Sequence, residues 1–247
     1  MLLSLNELRD VDVHAIDGSI GRVEECLFDD EQWTIRYIVV DAFDLVGRRV
    51  LISPIAVRRL AIDRDALHVS LTSAQIRNSP GIEEHRPVSR QYERTYGNYY
   101  GYPPYWVGPG NWGAGTTPGG LLRQPGPPAD QAAEQPAVSE EESHLRSSLE
   151  VTGYHIQATD GSIGHVDDFL IDEATWLIEF LRLDTSNFIG GRAVLVPRQA
   201  LREVRWPDRT IDVALTRDEI RTSLEYDPDL LRTERWPRQT HHDERAH

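Results

Sequence analysis

The chain has 247 residues, 39% hydrophobic and 27% charged, enough for one large domain or two small ones with a connector. Its net charge of −14 repels phosphate backbones, which disfavours nucleic acid as a partner. It has no lysine and only one cysteine, Cys26, which excludes Schiff-base chemistry, a phosphate-loop lysine, an intramolecular disulfide and a cysteine metal cage within one chain.

In chain order, Ser4-x-x-Glu7 has capping-box spacing and predicts a short helical turn. Val11, Val13 and Ala15 then alternate with polar residues as a strand, and Asp17-Gly18 supplies a tight turn that needs a positive φ. Further strands are expected at Ile20–Phe28, Ile35–Val40, Val50–Ile52, 57–62 and Leu67–Leu71, about six in all. The spacing of short strands and turns is that of a small barrel or sandwich. A capped helix from Thr72 to Arg77, stopped by Pro80, closes the unit.

The same series then recurs. Asp17-Gly18-Ser19-Ile20-Gly21 returns as Asp160-Gly161-Ser162-Ile163-Gly164, and an offset of 143 from Ser4 to Pro54 gives 17 identities in 51 ungapped positions. Among them are Glu7/Glu150, Trp33/Trp176, Asp41/Asp184, Arg49/Arg192 and Pro54/Pro197. With one inserted residue the match runs on to Ile76-Arg77/Ile220-Arg221. The chain therefore divides into a first copy (1–80), a connector (81–144), a second copy (145–228) and a charged tail (229–247) that reads as disordered.

The connector holds 9 of the 15 prolines and 10 of the 18 glycines, together with six of the nine tyrosines. Tyr92, Tyr96, Tyr99, Tyr100, Tyr102, Tyr105, Trp106 and Trp112 are expected either to fold back on one copy or to form an adhesive patch. Tyr99, Tyr100, Tyr102, Tyr105 and Trp106 are the candidate interaction residues. Residues 114–144 read as flexible tether.

No chemistry stands out. Gly108-x-Gly110-x-x-Gly113 lacks the strand before it and the helix after it that a dinucleotide fingerprint needs. Ser19 and Ser162 sit in hairpins, and no histidine recurs between copies; His241, His242 and Asp243 would hold a metal only weakly, in the tail. Asp41 and Asp184 are expected to accept backbone N–H groups of the loops after them. Trp33 and Trp176 are expected to anchor hairpins. Asp17, Gly18, Gly21, Asp160, Gly161 and Gly164 are structural turn residues; no catalytic, cofactor or metal residue is expected. The chain's start lacks the pattern of a signal peptide and no stretch reaches membrane-spanning length, so a cytoplasmic location is expected.

The lead turn, the Asp-Gly-Ser-Ile-Gly hairpin, the Leu-x-Asp-x-x-x-Trp step, the apolar strand ending in Asp and the closing Leu-Thr-x-x-x-Ile-Arg resemble the PRC-barrel family, twice over. That family is named for the cytoplasmic domain of the photosynthetic reaction-centre H subunit and is also similar to the C-terminal domain of ribosome maturation factors. The resemblance implies a mainly β chain of two six-stranded barrels with short flanking helices. It also implies a non-enzymatic module that binds or assembles proteins, with no cofactor and an unidentified protein partner, as in stand-alone bacterial members. An accessory role at a photosynthetic or electron-transfer membrane complex is the alternative, and a small-ligand carrier or enzyme is a second one. The two copies are expected to pack on each other about an approximate twofold axis, or to form a homo-oligomer.

Overall fold

The computed structural model describes residues 1–43, 49–61, 66–82, 88–123, 144–185 and 192–231. The fold is mainly β, built as two seven-stranded sheets. The first copy contributes β1 (Leu2–Ser4), α1 (Leu5–Leu8), β2 (Asp12–Ala15), β3 (Gly18–Asp29), β4 (Thr34–Ala42), β5 (Arg49–Ile52), β6 (Val57–Ala61), β7 (Ala66–Val69) and α2 (Ser73–Arg77). Two connector helices follow, α3 (Arg90–Tyr100) and α4 (Pro118–Leu121). The second copy repeats the series with β8 (Leu145–Ser147), α5 (Ser148–Val151), β9 (His155–Ala158), β10 (Gly161–Asp172), β11 (Ile178–Asp184), β12 (Ala193–Pro197), β13 (Leu201–Arg205), β14 (Thr210–Val213) and α6 (Arg217–Thr222). A further turn of helix, α7, spans Pro228–Leu231.

Local chemistry explains each unit. Gly18 and Gly161 have φ of 156° and 138°, the positive values that the Asp-Gly turn requires. The preceding aspartates do more than turn the chain. Asp17 accepts from the Ser73 amide (2.7 Å) and hydroxyl (2.8 Å), and Asp160 from the Arg217 amide (2.8 Å), so each turn caps the helix that closes its own copy. Those hydrogen bonds hold both carboxyls below the usual range. Reciprocal capping boxes at Thr72/Gln75 and Thr216/Glu219 complete the two helix starts. Gly21 and Gly164 serve a different need. A Cβ there would lie 1.9 Å from the Asp41 carbonyl oxygen and 2.2 Å from that of Asp184, so only glycine lets the long strand approach its neighbour.

Six strands of each copy pair in the order β5-β4-β3-β2-β7-β6 and β12-β11-β10-β9-β14-β13, and the seventh strand comes from the other copy. β1 pairs with β10, with Leu2 opposite Asp172 and Ser4 opposite Leu170. β8 pairs with β3, with Leu145 opposite Asp29 and Ser147 opposite Leu27. The two registers coincide under the offset of 143, as do the bulges after Val23 and Leu27 in β3 and after Val166 and Leu170 in β10. Two six-stranded closed barrels were expected; among the described residues each pairing path instead ends open, at β5 and β6 or at β12 and β13.

The exchange is isologous. Ile35 N donates to Trp176 O and Ile178 N to Trp33 O, both at 2.8 Å, with Thr34 bridging Leu177 between them. Trp33 and Trp176 take left-handed φ of 53° and 59° and are buried in one core with Phe28, Phe169, Ile35 and Ile178. At the exchanged strands Ser4 donates to Asp168, which is 1% exposed, and Ser147 donates to Glu25, its counterpart. Burial pushes both of these carboxyls up.

Register also corrects the alignment. Asp41 faces Arg49 whereas Asp184 faces Ala193, so the inserted residue precedes β12. Arg49 therefore corresponds to Ala193 and Pro54 to Arg198, and the identities Arg49/Arg192 and Pro54/Pro197 join positions that are not equivalent. The loops that Asp41 and Asp184 were expected to cap, 44–48 and 186–191, lie outside the described residues, as does the tail from 232 onward. The tail was expected to begin at 229, but Asp229 to Leu231 belong to α7.

Candidate functional site

Helix α3 carries the connector back onto the first copy. Ser89 caps it by accepting from Tyr92 N (3.3 Å), and Gly101, at φ 71°, ends it. Tyr92, Tyr96 and Tyr100 recur at i, i+4 and i+8 and share one face. That face, with Val88, covers Tyr37, Val39 and Leu51 on the outer side of the sheet. Tyr96 meets Tyr37 edge-on at 5.1 Å, and its hydroxyl accepts from Ser53 N (3.0 Å) and donates to Leu51 O (3.2 Å). Backbone groups on the open edge of β5 are thereby satisfied by a side chain.

After the helix the chain wraps around a buried ionic cluster. Arg36, whose side chain is fully buried, donates to Asp29 (3.2 Å), to Gln32 (2.7 Å) and to the Asn111 carbonyl. Its guanidinium lies 3.8 Å over the Tyr105 ring and 5.0 Å from Trp112, while its Nε has no hydrogen-bond partner. Glu93, 3% exposed, accepts from the Tyr105 hydroxyl (2.8 Å) and from Arg90 (3.0 Å). Burial raises the Glu93 carboxyl even though Arg90 and Tyr105 oppose the shift. The hydroxyls of Tyr37, Tyr96 and Tyr105 are raised by burial as well, and those of Tyr100 and Tyr102 are pushed up to about 12. None of them acts as a base at neutral pH. The Cys26 thiol is pushed up by complete burial and is no nucleophile.

Among the five candidate interaction residues, Tyr105 is buried, Tyr100, Tyr102 and Trp106 are half-buried, and Tyr99 is exposed at 42%, its hydroxyl on the Gln75 carbonyl (2.8 Å). Three of the five share one cavity, and Tyr99 and Tyr100 lie outside its lining. Tyr102, Tyr105 and Trp106, with Pro103 and Pro104, wall a cavity of about 270 Å³ whose lining also includes Tyr37 and Glu93, and the exposed Arg94 and Asn98. The turn residues Asp17, Gly18, Gly21, Asp160, Gly161 and Gly164 lie in the hairpins and away from it.

Sequence reasoning missed Arg36, Asp29, Glu93 and Arg90. The aromatic spacing of α3 between Ser89 and Gly101 is a signal that points to the helix. No local signal marks Arg36, because Asn111 and Tyr105 lie far along the chain and the nearby Asp29 and Gln32 read as ordinary turn residues. Nor does the tether begin at 114, since Trp112 pairs with Gly115 and Leu121 is buried; residues 124–143 lie outside the described residues. Gly108 to Gly113 close on themselves through Gly110 N to Gly113 O (2.7 Å), a loop with no helix behind it. Among the described residues no group of three metal-ligating side chains exists, and no helix is long and apolar enough to cross a membrane. No protein-family model matches the chain, and a search of curated proteins finds no match.

Proposed function

We propose that the chain is a non-enzymatic protein-binding or assembly module made of two PRC-barrel-type units. The observation that carries this reading is the aromatic and proline-walled cavity on the first copy. The acidic and basic groups behind it are committed to one another, Asp29 to Arg36 and Glu93 to Arg90, so the site offers contact area with those groups already engaged. Tyr and Trp walls beside an exposed arginine suit a side chain of a partner protein.

Placing a photo-crosslinking phenylalanine analogue at Tyr99 of the full chain tests it. Discrete polypeptides are expected to be captured, and the pair Tyr102→Ala and Trp106→Ala is expected to abolish the capture. Capture that ignores the pair, or no capture at all, overturns the reading. The cavity volume also favours a second reading, a small-ligand carrier. A defined small-molecule mass retained on the intact chain in native mass spectrometry, and lost in the same double variant, would select it.

A further inference from the structure

The exchange of strands creates two equivalent grooves, and the chain fills one of them itself. In the filled groove α4 packs on the 3-10 turn Pro54–Ala56, with Leu121 1% exposed. Beside it Trp112, fully buried, donates its indole N–H to the carbonyl of Thr175 (2.8 Å) in the turn of the other copy. The counterpart walls are the 3-10 turn Arg198–Ala200 and the turn holding Asp30, Glu31 and Trp33. Between them lies a cleft of about 420 Å³ that also has Trp206 and Arg202 in its lining. The counterpart of the Thr175 carbonyl is that of Gln32, which accepts from the Thr34 hydroxyl at 3.2 Å and retains a second lone pair.

The charges in the cleft select the occupant. Asp30 is matched by Arg146 (2.8 Å) and Glu31 faces His144 (3.3 Å). Arg198 and Arg202 form no ion pair among the described residues, and the buried Nε of Arg198 has no hydrogen-bond partner. Glu203 and Glu31, whose partner His144 carries charge only when protonated, share the lining with them, but neither pairs with Arg198 or Arg202. We propose that this cleft receives an extended segment of a partner protein that carries a tryptophan flanked by acidic residues. The indole takes the place that Trp112 holds in the filled groove, beside Trp33 and Trp206, and the carboxylates meet Arg198 and Arg202. The proposal rests on the reading of the chain as a protein-binding module and locates a second contact, away from the Tyr102/Trp106 cavity.

The test uses the full chain and a fluorescein-labelled peptide, Gly-Asp-Gly-Trp-Gly-Asp-Gly, followed by anisotropy up to 1 mM. Saturable binding is expected, weakened at least tenfold by Arg198→Ala with Arg202→Ala and abolished when the peptide tryptophan is alanine. An Asp-to-Asn peptide is expected to bind more weakly and to lose most of its salt dependence. The arginine variant is to retain the wild-type melting temperature; a second variant, Arg202→Glu, repels the peptide through an exposed position if the first unfolds. Absence of saturable binding, or binding indifferent to both variants, overturns the proposal. So does binding that appears only after residues 232–247 are removed, which would make the chain's own end the occupant. Failure here with intact crosslinking at Tyr99 leaves the module reading in place, and the converse separates the two.

Discussion

Replacing Tyr96 by Phe removes one oxygen from a buried junction and leaves its ring against Tyr37 at 5.1 Å. The oxygen satisfies two backbone groups, Ser53 N at 3.0 Å and Leu51 O at 3.2 Å, in a place that is 1% exposed. Leaving a buried group unpaired costs about 1–3 kcal/mol, and with both groups taken at the lower end about 2 kcal/mol is expected in total. Tyr96→Ala also removes the ring from the contacts with Tyr37, Tyr92 and Tyr100, and a buried aromatic truncation costs about 3–5 kcal/mol. Urea unfolding of the full chain reads both. With a slope of about 2–3 kcal/mol/M, the Phe variant moves the midpoint down by about 0.7–1 M and the Ala variant by roughly twice that. Hydrogen exchange at the Ser53 amide accelerates in both. If Tyr96→Phe unfolds with the wild-type midpoint and Ser53 stays protected, helix α3 does not close the edge of β5 and the account of the connector fails.

Deleting residues 1–4 is expected to deprotect the Glu173 amide, which donates to the Met1 carbonyl (3.0 Å), while its counterpart at Asp30, which donates to the His144 carbonyl (3.0 Å), stays protected; the reverse pattern in hydrogen exchange would disprove the exchange of strands. Gly21→Ala forces backbone to shift and is expected to cost about 2 kcal/mol or more. Gly18→Ala meets open space and incurs only its positive φ, about 1 kcal/mol; a thermal melt with the order inverted refutes the assignment. Glu25 is raised by burial, so the folded chain holds that proton more tightly and stability falls as pH rises through the raised value. Glu25→Gln is expected to flatten that fall in urea titrations across pH, and an unchanged slope counts against the buried Glu25–Ser147 contact. Asp17 has the opposite sign: hydrogen bonds from Ser73 lower it, so its contribution, full above the ordinary carboxylate range near 4, is lost as pH falls. Asp17→Asn is expected to lessen acid sensitivity, and a steeper acid limb would refute the cap.

Much of each unit is written within a few residues of itself. The Asp-Gly turns need only a glycine at one position, the caps at Thr72 and Thr216 reach three residues ahead, and the apolar alternation around Val13 and the run from Ile35 to Val40 mark strands by period. The repeat itself followed from comparing the chain with its own later half. These features depend on backbone preference and on contacts at short separation, which is why they are legible in order along the chain.

Tertiary structure decided the rest. β1 and β8 have three residues each, too few to show a period, and their partners lie about 120 to 170 residues away, so only packing determined that the copies trade them. Arg36 stands in an apolar strand as an ordinary surface cation would. Its burial exists because Asp29, Gln32, Asn111 and Tyr105 converge from separate elements to replace its water. Likewise Gly21 is required by the close approach of a neighbouring strand rather than by its own φ, and the inserted residue was placed by strand register rather than by counting identities. Local preferences set the elements of each copy; the exchange between copies and the cover supplied by the connector depend on desolvation and pairing between residues that the sequence holds far apart.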